Sequence, residues 1–350
     1  MYRDGNPHDV VEHGLPPEAG LAEVLDWAVA HAALAPSEHN SQPWSFLAYL
    51  PEDETEARVE LYLDPSRQLP FVDSDNREAL LACGAALLNL RLALAGAEYG
   101  TQVTLMPDPS RPELLARVVV QGPPVEGDLA PDLLFAVPRR GTHRAPFQAT
   151  AVPVHEVDRL VAEAAAEGAV VTPLDVAGQE ALARLTAAAE TELWEDGAYR
   201  REAAAWSRAN DTSQRDGVPG YAYGLGAIRS WLRPTLCRTA GLPPWSAQDI
   251  AEAERGAPLV LVISATGDGR PAVLRAGAGM QRLLLRACSD GLTASYVNGA
   301  LHVPALRRQL AALTQSARPQ VVLRLGYGQL PRPTPRRTVP EILRLEHPSE

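Results

Sequence analysis

Hydrophobic and polar positions recur along the chain with two different periods, which together predict a mixture of helices and strands. Apolar residues follow helical spacing from Leu21 to Ala28, and this helix is expected to end before Pro36, because the residue before a proline is pushed out of the helical region. Two runs, "WSFLAYL" and "ARVELYLD", predict strands joined by an acidic turn, "PEDETE". A longer run, "NREALLACGAALLNLRLALAGAEYG", predicts a buried helix, and "TQVTLMP" and "LARVVVQG" predict further strands.

A segment rich in proline, glycine and acidic residues, 122–132, separates these elements from a second set. The second set begins with a short helix at "DLLFAVPRR" and longer helices at "VHEVDRLVAEAAAEG" and "QEALARLTAAAETELWED". A strand at "PLVLVIS", a buried helix at "AGAGMQRLLLRACSDG" and a closing strand at "PQVVLRLGYG" follow. Because both sets place a Gly- and Ala-rich buried helix before a strand, the pattern predicts two related α+β halves, residues 1–127 and 128–350.

The stretch 203–237 has little clean periodicity and contains two tryptophans, two tyrosines and four glycines. One interpretation is an irregular connection packed on the surface. The other is a lid inserted into the second half, whose aromatic side chains cover a ligand, as long structured loops often do.

Composition mainly excludes classes of function. The 350 residues carry a net charge of -11, which argues against binding to a nucleic-acid backbone. No lysine is present, which excludes Schiff-base chemistry and a P-loop, and the three scattered cysteines have neither disulfide nor metal-site spacing. No apolar run reaches the ~20 residues that span a bilayer, and the N-terminal residues lack the pattern of a signal peptide. We therefore expect a cytoplasmic protein that binds no metal and no membrane.

The loop "LAPSEHNSQPW", residues 34–44, concentrates hydrogen-bonding side chains between two prolines. Ser37, Asn40 and Gln42 offer both donors and acceptors, and the prolines limit the entropy lost when the loop closes on a ligand. A planar heterocycle with alternating C=O and N–H groups would suit them. The alternative is that these residues only cap the preceding helix and form turns.

Two arginine clusters predict an anion site. Arg140, Thr142 and Arg144 alternate in "AVPRRGTHRAPF", so an extended backbone would point all three side chains to one side, where guanidinium groups bind phosphate oxygens. Arg336 and Arg337, in "LPRPTPRRTVPE", are candidates for the same phosphate. The alternatives are a solvated loop and a basic surface tail.

A weaker signal lies in "TASYVNGALHV", where a strand-like run is followed by small residues before a helix. Around Gly299 and Ala300 the backbone N–H groups would be free to approach a flat ligand closely. An ordinary strand-to-helix turn explains the same residues.

Together these motifs resemble the FMN-dependent nitroreductase superfamily. "APSEHNSQPW" is similar to its "APSSxNxQPW" loop, and "RRGTHRAPF" is similar to its "RRSxRxF" phosphate loop. Over nearly the full length the chain resembles the actinobacterial Acg family of FMN-binding nitroreductase-like proteins, through "DPSRQLPFVDSDNREALLACGAALLNLRLAL", "RDGVP", "AGAGMQRLLL" and "PQVVLRLGYG". In ordinary nitroreductases one subunit contributes the arginine loop and its partner the Asn-x-Gln-Pro-Trp loop to each FMN site. Here each half of the chain has only one of these two loops.

The resemblance implies a nitroreductase-like α+β fold in which the two halves form an intramolecular pseudo-dimer with one FMN site. Arg140 and Thr142 would contact the phosphate and ribityl chain, and Arg144 the N1–C2=O edge of the flavin. Ser37, Asn40 and Gln42 would approach the flavin from the first half. The remaining expected contacts are the phosphate cage of Arg336 and Arg337 and the backbone of Gly299 and Ala300 beside N5.

The function implied by the resemblance is hydride transfer through flavin N5 to an electron-poor acceptor such as a nitroarene or quinone, with NAD(P)H as a candidate donor. A rival is an FMN-sequestering protein whose lid excludes the nicotinamide. A third interpretation is a specialised flavin oxidase or dehydrogenase with a biosynthetic substrate. The chain is expected to function alone, which is compatible with a weak homodimer, and no catalytic side chain is assigned.

Overall fold

Helices and strands alternate along the chain, and the computed structural model describes residues 5–50, 57–124, 131–241, 256–316 and 318–346. Its strands are β1 (Trp44–Tyr49), β2 (Ala57–Leu63), β3 (Gly100–Leu105), β4 (Leu114–Gln121), β5 (Ala169–Pro173), β6 (Ser207–Arg208), β7 (Val218–Pro219), β8 (Leu259–Ala265), β9 (Thr293–Tyr296), β10 (Pro319–Gly326) and β11 (Leu343–Glu346). Its helices are α1 (Pro7–His13), α2 (Leu21–Ala33), α3 (Arg77–Gly96), α4 (Val154–Ala166), α5 (Val176–Glu195), α6 (Gly197–Ala205), α7 (Ala227–Ala240), α8 (Gly269–Ser289), α9 (Gly299–His302), α10 (Pro304–Leu313) and α11 (Val339–Ile342).

Most of the elements expected from the sequence form. Helix α2 ends at Ala33, before Pro36 as the proline requires. The run "DLLFAVPRR" forms a short 3-10 helix, Pro131–Ala136, instead of an α-helix. The expected acidic turn, 51–56, and residues 125–130 of the expected junction lie outside the described residues.

Two antiparallel sheets repeat one topology. The first has the order β1-β2-β4-β3, extended at one edge by β11, and the second has the order β5-β8-β10-β9. In each sheet a long buried helix connects the second strand in the order to the last one: α3 joins β2 to β3, and α8 joins β8 to β9. The two halves predicted from the sequence are therefore related by topology as well as by pattern.

The central helices α3 and α8 pack against each other through reciprocal glycine contacts. A Cβ atom on Gly84 of α3 would overlap the carbonyl oxygen of Leu274, three residues before Gly277 on α8. A Cβ atom on Gly277 would overlap the carbonyl oxygen of Leu81, three residues before Gly84. Since each helix offers the same positions to the other, the crossing has approximate twofold symmetry. Close backbone approach of this kind requires glycine.

Burial explains the apolar composition of α3. It is the only described helix that is long and apolar enough to cross a membrane by length and composition, and 83% of its most apolar window is buried inside the protein. Its neighbours are α2 on one side and α8 on the other. It is a core helix of the two packed halves.

The C-terminal segment returns to the first sheet, which the sequence analysis does not predict. Strand β11 pairs in parallel with β1, with Phe46 opposite Leu343. Further contacts tie the same segment to the first half, including a hydrogen bond from Val339 N to Gly5 O at 2.8 Å. Residues 335–342, between β10 and β11, are therefore held against the loop that precedes β1.

Candidate functional site

A cavity of about 790 Å³ lies between the two halves. The first half contributes the loop 34–40 and part of α3 to its walls. The second half contributes residues 137–146, one face of α5, residues 295–299 and the segment 329–336. Its volume falls within the roughly 300–1,000 Å³ typical of small-molecule and cofactor sites.

Arginine side chains without acidic partners gather around this cavity. Among the described residues, six of the arginines that line it form no salt bridge, although the chain as a whole has a net charge of -11. These six are Arg139, Arg140, Arg144, Arg233, Arg332 and Arg336. Cations left unpaired at a concave site indicate an anionic ligand.

Arg140 and Arg336 lie close enough to repel each other. Burial and the positive charge of Arg140 lower the pKa of Arg336 from its ordinary value to about 9. Arg140 donates to the carbonyl oxygen of Leu34 at 3.1 Å, and the Nε atoms of Arg140 and Arg336 have no partner among the described residues. An anion between the two guanidinium groups would relieve both the repulsion and the cost of burial.

Thr142 and Arg144 line the same cavity as Arg140, and so do Gly141 and His143 between them. Thr142 forms an isolated parallel bridge with Ala294, which keeps the segment extended beside β9. The guanidinium of Arg144 lies over the ring of Tyr223, 4.9 Å from its centroid. Tyr223 belongs to residues 203–237, so this cation–π contact links Arg144 to the stretch interpreted above as either a surface connection or a lid.

Asn40 joins three segments of the chain. Its Nδ2 donates to the carbonyl oxygens of Gly217 and Pro335, each at 3.0 Å. Its Oδ1 accepts from Arg336 Nη1 at 2.6 Å. Asn40 lines the cavity and is 7% exposed, so its amide acts first as a connection between the loop, the 203–237 stretch and the C-terminal segment.

Ser37 also lines the cavity, and its hydroxyl accepts from the backbone N–H of Gln42 at 2.9 Å. The loop has positive φ at His39 (53°), Asn40 (54°) and Gln42 (52°). Left-handed backbone at three non-glycine residues is uncommon and changes the directions in which the side chains point.

Gln42 and Arg337, two predicted ligands, do not line the cavity. Gln42 is fully buried; its Nε2 donates to Arg215 O and its Oε1 accepts from Arg337 N, each at 2.8 Å. Arg337 Nη1 lies 3.3 Å from the carboxylate of Asp64 and donates to Trp44 O at 3.1 Å. Both residues hold the backbone that carries other site residues, and their side chains are directed away from the cavity.

Gly299 lines the cavity, whereas Ala300, also a predicted ligand, is completely buried and does not. Both lie in the first turn of α9. A Cβ atom on Gly299 would lie 3.1 Å from Oε1 of Glu190, so this carboxylate occupies the space beside the glycine.

Sequence reasoning missed a buried charge network at the cavity. Glu78 forms an ion pair with Arg77, and its Oε1 lies 3.3 Å from His302 Nε2. Although burial opposes ionisation, Arg77 and His302 lower the pKa of Glu78 to about 2. Burial also opposes the charged form of His302, but the hydrogen bond and charge of Glu78 raise its pKa. The sequence feature that could have revealed this network is the charged pair Arg77 and Glu78 at the start of the otherwise apolar helix α3.

The stretch 203–237 contains part of α6, strands β6 and β7, and α7, and it contributes walls to the cavity. Trp206, Tyr221 and Tyr223 line it. Asp216 holds the stretch to the first half through Arg67 at 3.1 Å, and it also pairs with Arg208 at 2.8 Å. Aromatic residues of this segment therefore form part of the cavity wall.

Comparison with known proteins identifies relatives over nearly the whole length, although no protein-family model matches the chain. The Mycobacterium tuberculosis (strain H37Rv) protein provisionally named NAD(P)H nitroreductase Rv3131 is 31% identical over 337 residues, covering 94% of this chain and 93% of its own. The protein of the same strain provisionally named NAD(P)H nitroreductase acg is 30% identical over 351 residues, covering 94% and 97%. The solved FMN and NADPH-dependent nitroreductase NfnB from sphigopyxis sp. strain HMH aligns with 62% of this chain and 99% of its own at 16% identity, with a TM-score of 0.41, a likeness that carries no argument.

The repeated α+β topology and the arginine-lined cavity between the halves define a nitroreductase-like protein. Identity along almost the full length places the chain more narrowly: it belongs to the Acg family of nitroreductase-like proteins, as the sequence motifs imply.

Proposed function

We propose that the chain is an FMN-binding oxidoreductase of nitroreductase type, an intramolecular pseudo-dimer with a single flavin site formed by both halves. The observation that carries the proposal is the set of six arginines without salt bridges around a cavity shared by the halves. Two of them, Arg233 and Arg336, are buried, and a buried cation without a counter-charge is costly unless a ligand compensates it.

The residues present fit the phosphate of FMN. Burial and the positive charge of Arg140 depress the pKa of Arg336, and the Thr142 hydroxyl lies on the same segment as Arg140. Guanidinium groups bind phosphate oxygens through paired hydrogen bonds. We assign phosphate binding to these three residues, and Arg144 to the flavin ring, where a cation favours negative charge on the reduced flavin.

The other residues predicted to bind the flavin have different proposed roles. Ser37 and Gly299 line the cavity and remain proposed contacts. Asn40 would position Arg336, and Gln42 and Arg337 would hold the loop and the C-terminal segment in place. Ala300 is buried behind Gly299, so the proposal limits it to support of the turn.

Bound FMN would supply hydride acceptance and donation at N5, which no protein side chain provides. The protein would orient the flavin through the arginines and limit the access of water through Trp206, Tyr221 and Tyr223. An electron-poor acceptor such as a nitroarene or quinone, and NAD(P)H as donor, are the proposed partners.

Titration of the flavin-free protein with FMN and with riboflavin, followed by flavin fluorescence, tests the site. We expect FMN to bind at one molecule per chain and at least about tenfold more tightly than riboflavin, because only FMN has the phosphate. Equal affinity for the two flavins would show that the arginines are not a phosphate site. No uptake of either would refute the flavin proposal.

FMN sequestration is a second candidate, and the contacts of the 203–237 stretch favour it. Asn40, Gln42 and Arg67 of the first half all bond to residues 215–217, which holds this segment against the first half. Anaerobic mixing of the FMN-loaded protein with NADPH or NADH separates the two functions. Rapid bleaching of the flavin absorbance supports the oxidoreductase, whereas colour that only dithionite removes supports sequestration.

A further inference from the structure

Helix α5 presents a stripe of side chains to the cavity, two of which, Thr186 and Glu190, are polar. Thr186, Glu190, Leu193 and Trp194 all line the cavity and recur at helical spacing. Thr186 is 1% exposed, and its hydroxyl has no hydrogen-bond partner among the described residues. Such a hydroxyl at a cavity wall is costly unless a ligand satisfies it.

Glu190 is held in a fixed orientation but not neutralised. Its Oε2 accepts from Trp194 Nε1 at 3.1 Å, which leaves Oε1 beside Gly299. It forms no salt bridge with any residue in the described ranges. Burial raises the pKa of Glu190, a sign that nearby positive charge does not compensate its carboxylate.

The charged groups near Glu190 do not supply that compensation. His302 acts on the Glu190 carboxylate as a positive charge, but Glu78 already pairs with it at 3.3 Å. Glu38 adds a second carboxylate, whose partner at 3.3 Å is His39. Burial lowers the pKa of His39, so its imidazole is neutral at pH 7.

Arg233, the guanidinium at this end of the cavity, is engaged in part. It lies 3.9 Å from the centroid of the Tyr223 ring and its Nε donates to Ser207 Oγ at 3.0 Å, while its Nη1 has no hydrogen-bond partner among the described residues. Glu38 and Glu190 therefore line the cavity without a salt bridge to a described arginine.

Aromatic side chains surround the same end. Trp194 and Tyr199 meet edge to face, with their centroids 5.2 Å apart, and Trp206 and Tyr223 line the cavity with them. Aromatic walls favour flat ligands, and their faces attract cations. The stripe and these rings define an amine end of the cavity: Thr186, Glu190, Trp194, Tyr199 and Trp206.

We propose that the amine end binds a substrate that carries a protonated amine on an aromatic frame, with Glu190 Oε1 as the acceptor for the ammonium group. The inference deepens the proposed function by naming a substrate class, and it rests on that function only for the chemistry done to the substrate. Binding itself requires only the residues described here.

Isothermal titration calorimetry with three small probes tests the selectivity on the full chain, with and without added FMN. The probes are phenethylamine, the neutral 2-phenylethanol and the anionic 3-phenylpropionate. We expect phenethylamine to bind about tenfold or more tightly than the alcohol, because a charged hydrogen bond contributes at least that factor. The anion should bind most weakly.

Two variants and a control assign the preference to Glu190. Glu190→Gln should bring the affinities for amine and alcohol within about threefold, and Trp194→Phe, which removes the N–H that orients the carboxylate, should reduce the preference partly. Glu192→Gln, an exposed change on the same helix, should leave it unchanged. Circular dichroism establishes that each variant is folded.

The outcomes separate this inference from the flavin proposal. Equal binding of amine and alcohol by the wild type, or a preference that survives in folded Glu190→Gln, overturns the amine end. A wild type that takes up no FMN but prefers phenethylamine overturns the flavin site and supports the amine end.

Discussion

Arg336 Nη1 donates to Asn40 Oδ1 at 2.6 Å, across 296 positions of sequence. The bond joins the Asn-Ser-Gln-Pro-Trp loop of the first half to an arginine that lines the cavity from the C-terminal segment. The amide of Asn40 also holds the 203–237 stretch. One side chain thus connects the loop, the 203–237 stretch and the proposed phosphate site.

Asn40→Ala should lower the free energy of unfolding by about 1–3 kcal/mol, because it removes the hydrogen bonds of the buried amide with Arg336 Nη1 and with the carbonyl oxygens of Gly217 and Pro335. Urea denaturation measures the change. Gln148→Ala removes an exposed amide and should stay within about 0.5 kcal/mol of the wild type. Equal stability of the two variants would contradict a connecting role for Asn40.

Arg140→Ala combined with Arg144→Ala should give a folded protein that purifies without yellow colour, since two cations of the proposed flavin site are removed. Absorbance at the flavin band, relative to protein, measures occupancy. Arg159→Ala with Arg229→Ala removes two exposed arginines as a matched control. Stoichiometric FMN in the first double variant would refute the assignment of this segment.

Asp216→Asn should loosen the 203–237 stretch, because Asp216 is bonded to Arg67 and Arg208. We expect faster hydrogen exchange in residues 215–218 and faster release of bound FMN, while Asp211→Asn, an exposed neighbour, changes neither. An unchanged rate of FMN release would show that opening of this segment does not limit exit.

Gly84→Ala should destabilise the packing of the two halves by about 1–3 kcal/mol or more, because the new methyl group overlaps the backbone of α8. Gly277→Ala should cost a similar amount, since it is the reciprocal position. Gly226→Ala, where φ is -68° and a Cβ atom meets nothing within 4 Å, provides the control. Thermal unfolding of the three variants measures the effect, and tolerance at Gly84 would contradict the close crossing.

The Glu78–His302 pair should make stability depend on pH. The folded-state pKa of His302 is raised above 6.5, so its contribution is complete below pH 6.5 and declines as the pH rises through the folded value. The stability difference between the wild type and His302→Gln should therefore be larger at pH 6 than at pH 8.5, measured by urea unfolding. A difference that is constant with pH, or as large for the exposed His155→Gln, would exclude this linkage.

Local patterns predicted the central helices better than the directions of single side chains. Periodicity identified α3 and α8. Arg140, Thr142 and Arg144 line one cavity, but so do Gly141 and His143 between them, so the cavity does not distinguish the predicted alternation. Gln42 was expected at the site for its hydrogen-bonding groups, and the left-handed backbone at His39, Asn40 and Gln42 sets side-chain directions that composition does not reveal. The assigned contacts with FMN remain proposals.

The sequence pattern did not predict the long-range contacts. The pairing of β11 with β1 depends on a return of the chain over nearly 300 residues, and four residues of strand carry too little pattern to predict it. Glu190 appeared only as one acidic position of an amphipathic helix. It matters because the folded helix α5 places its side chain at the cavity, beside Gly299.

The return of β11 to β1 has a consequence for biogenesis. The edge of the first sheet and the Arg336–Asn40 bond can form only after residues 336–346 have left the ribosome, long after β1 itself has emerged. Until then the nascent first half presents an open strand edge, a surface prone to mispairing, so the completion of this sheet and of the ligand cavity coincide in time.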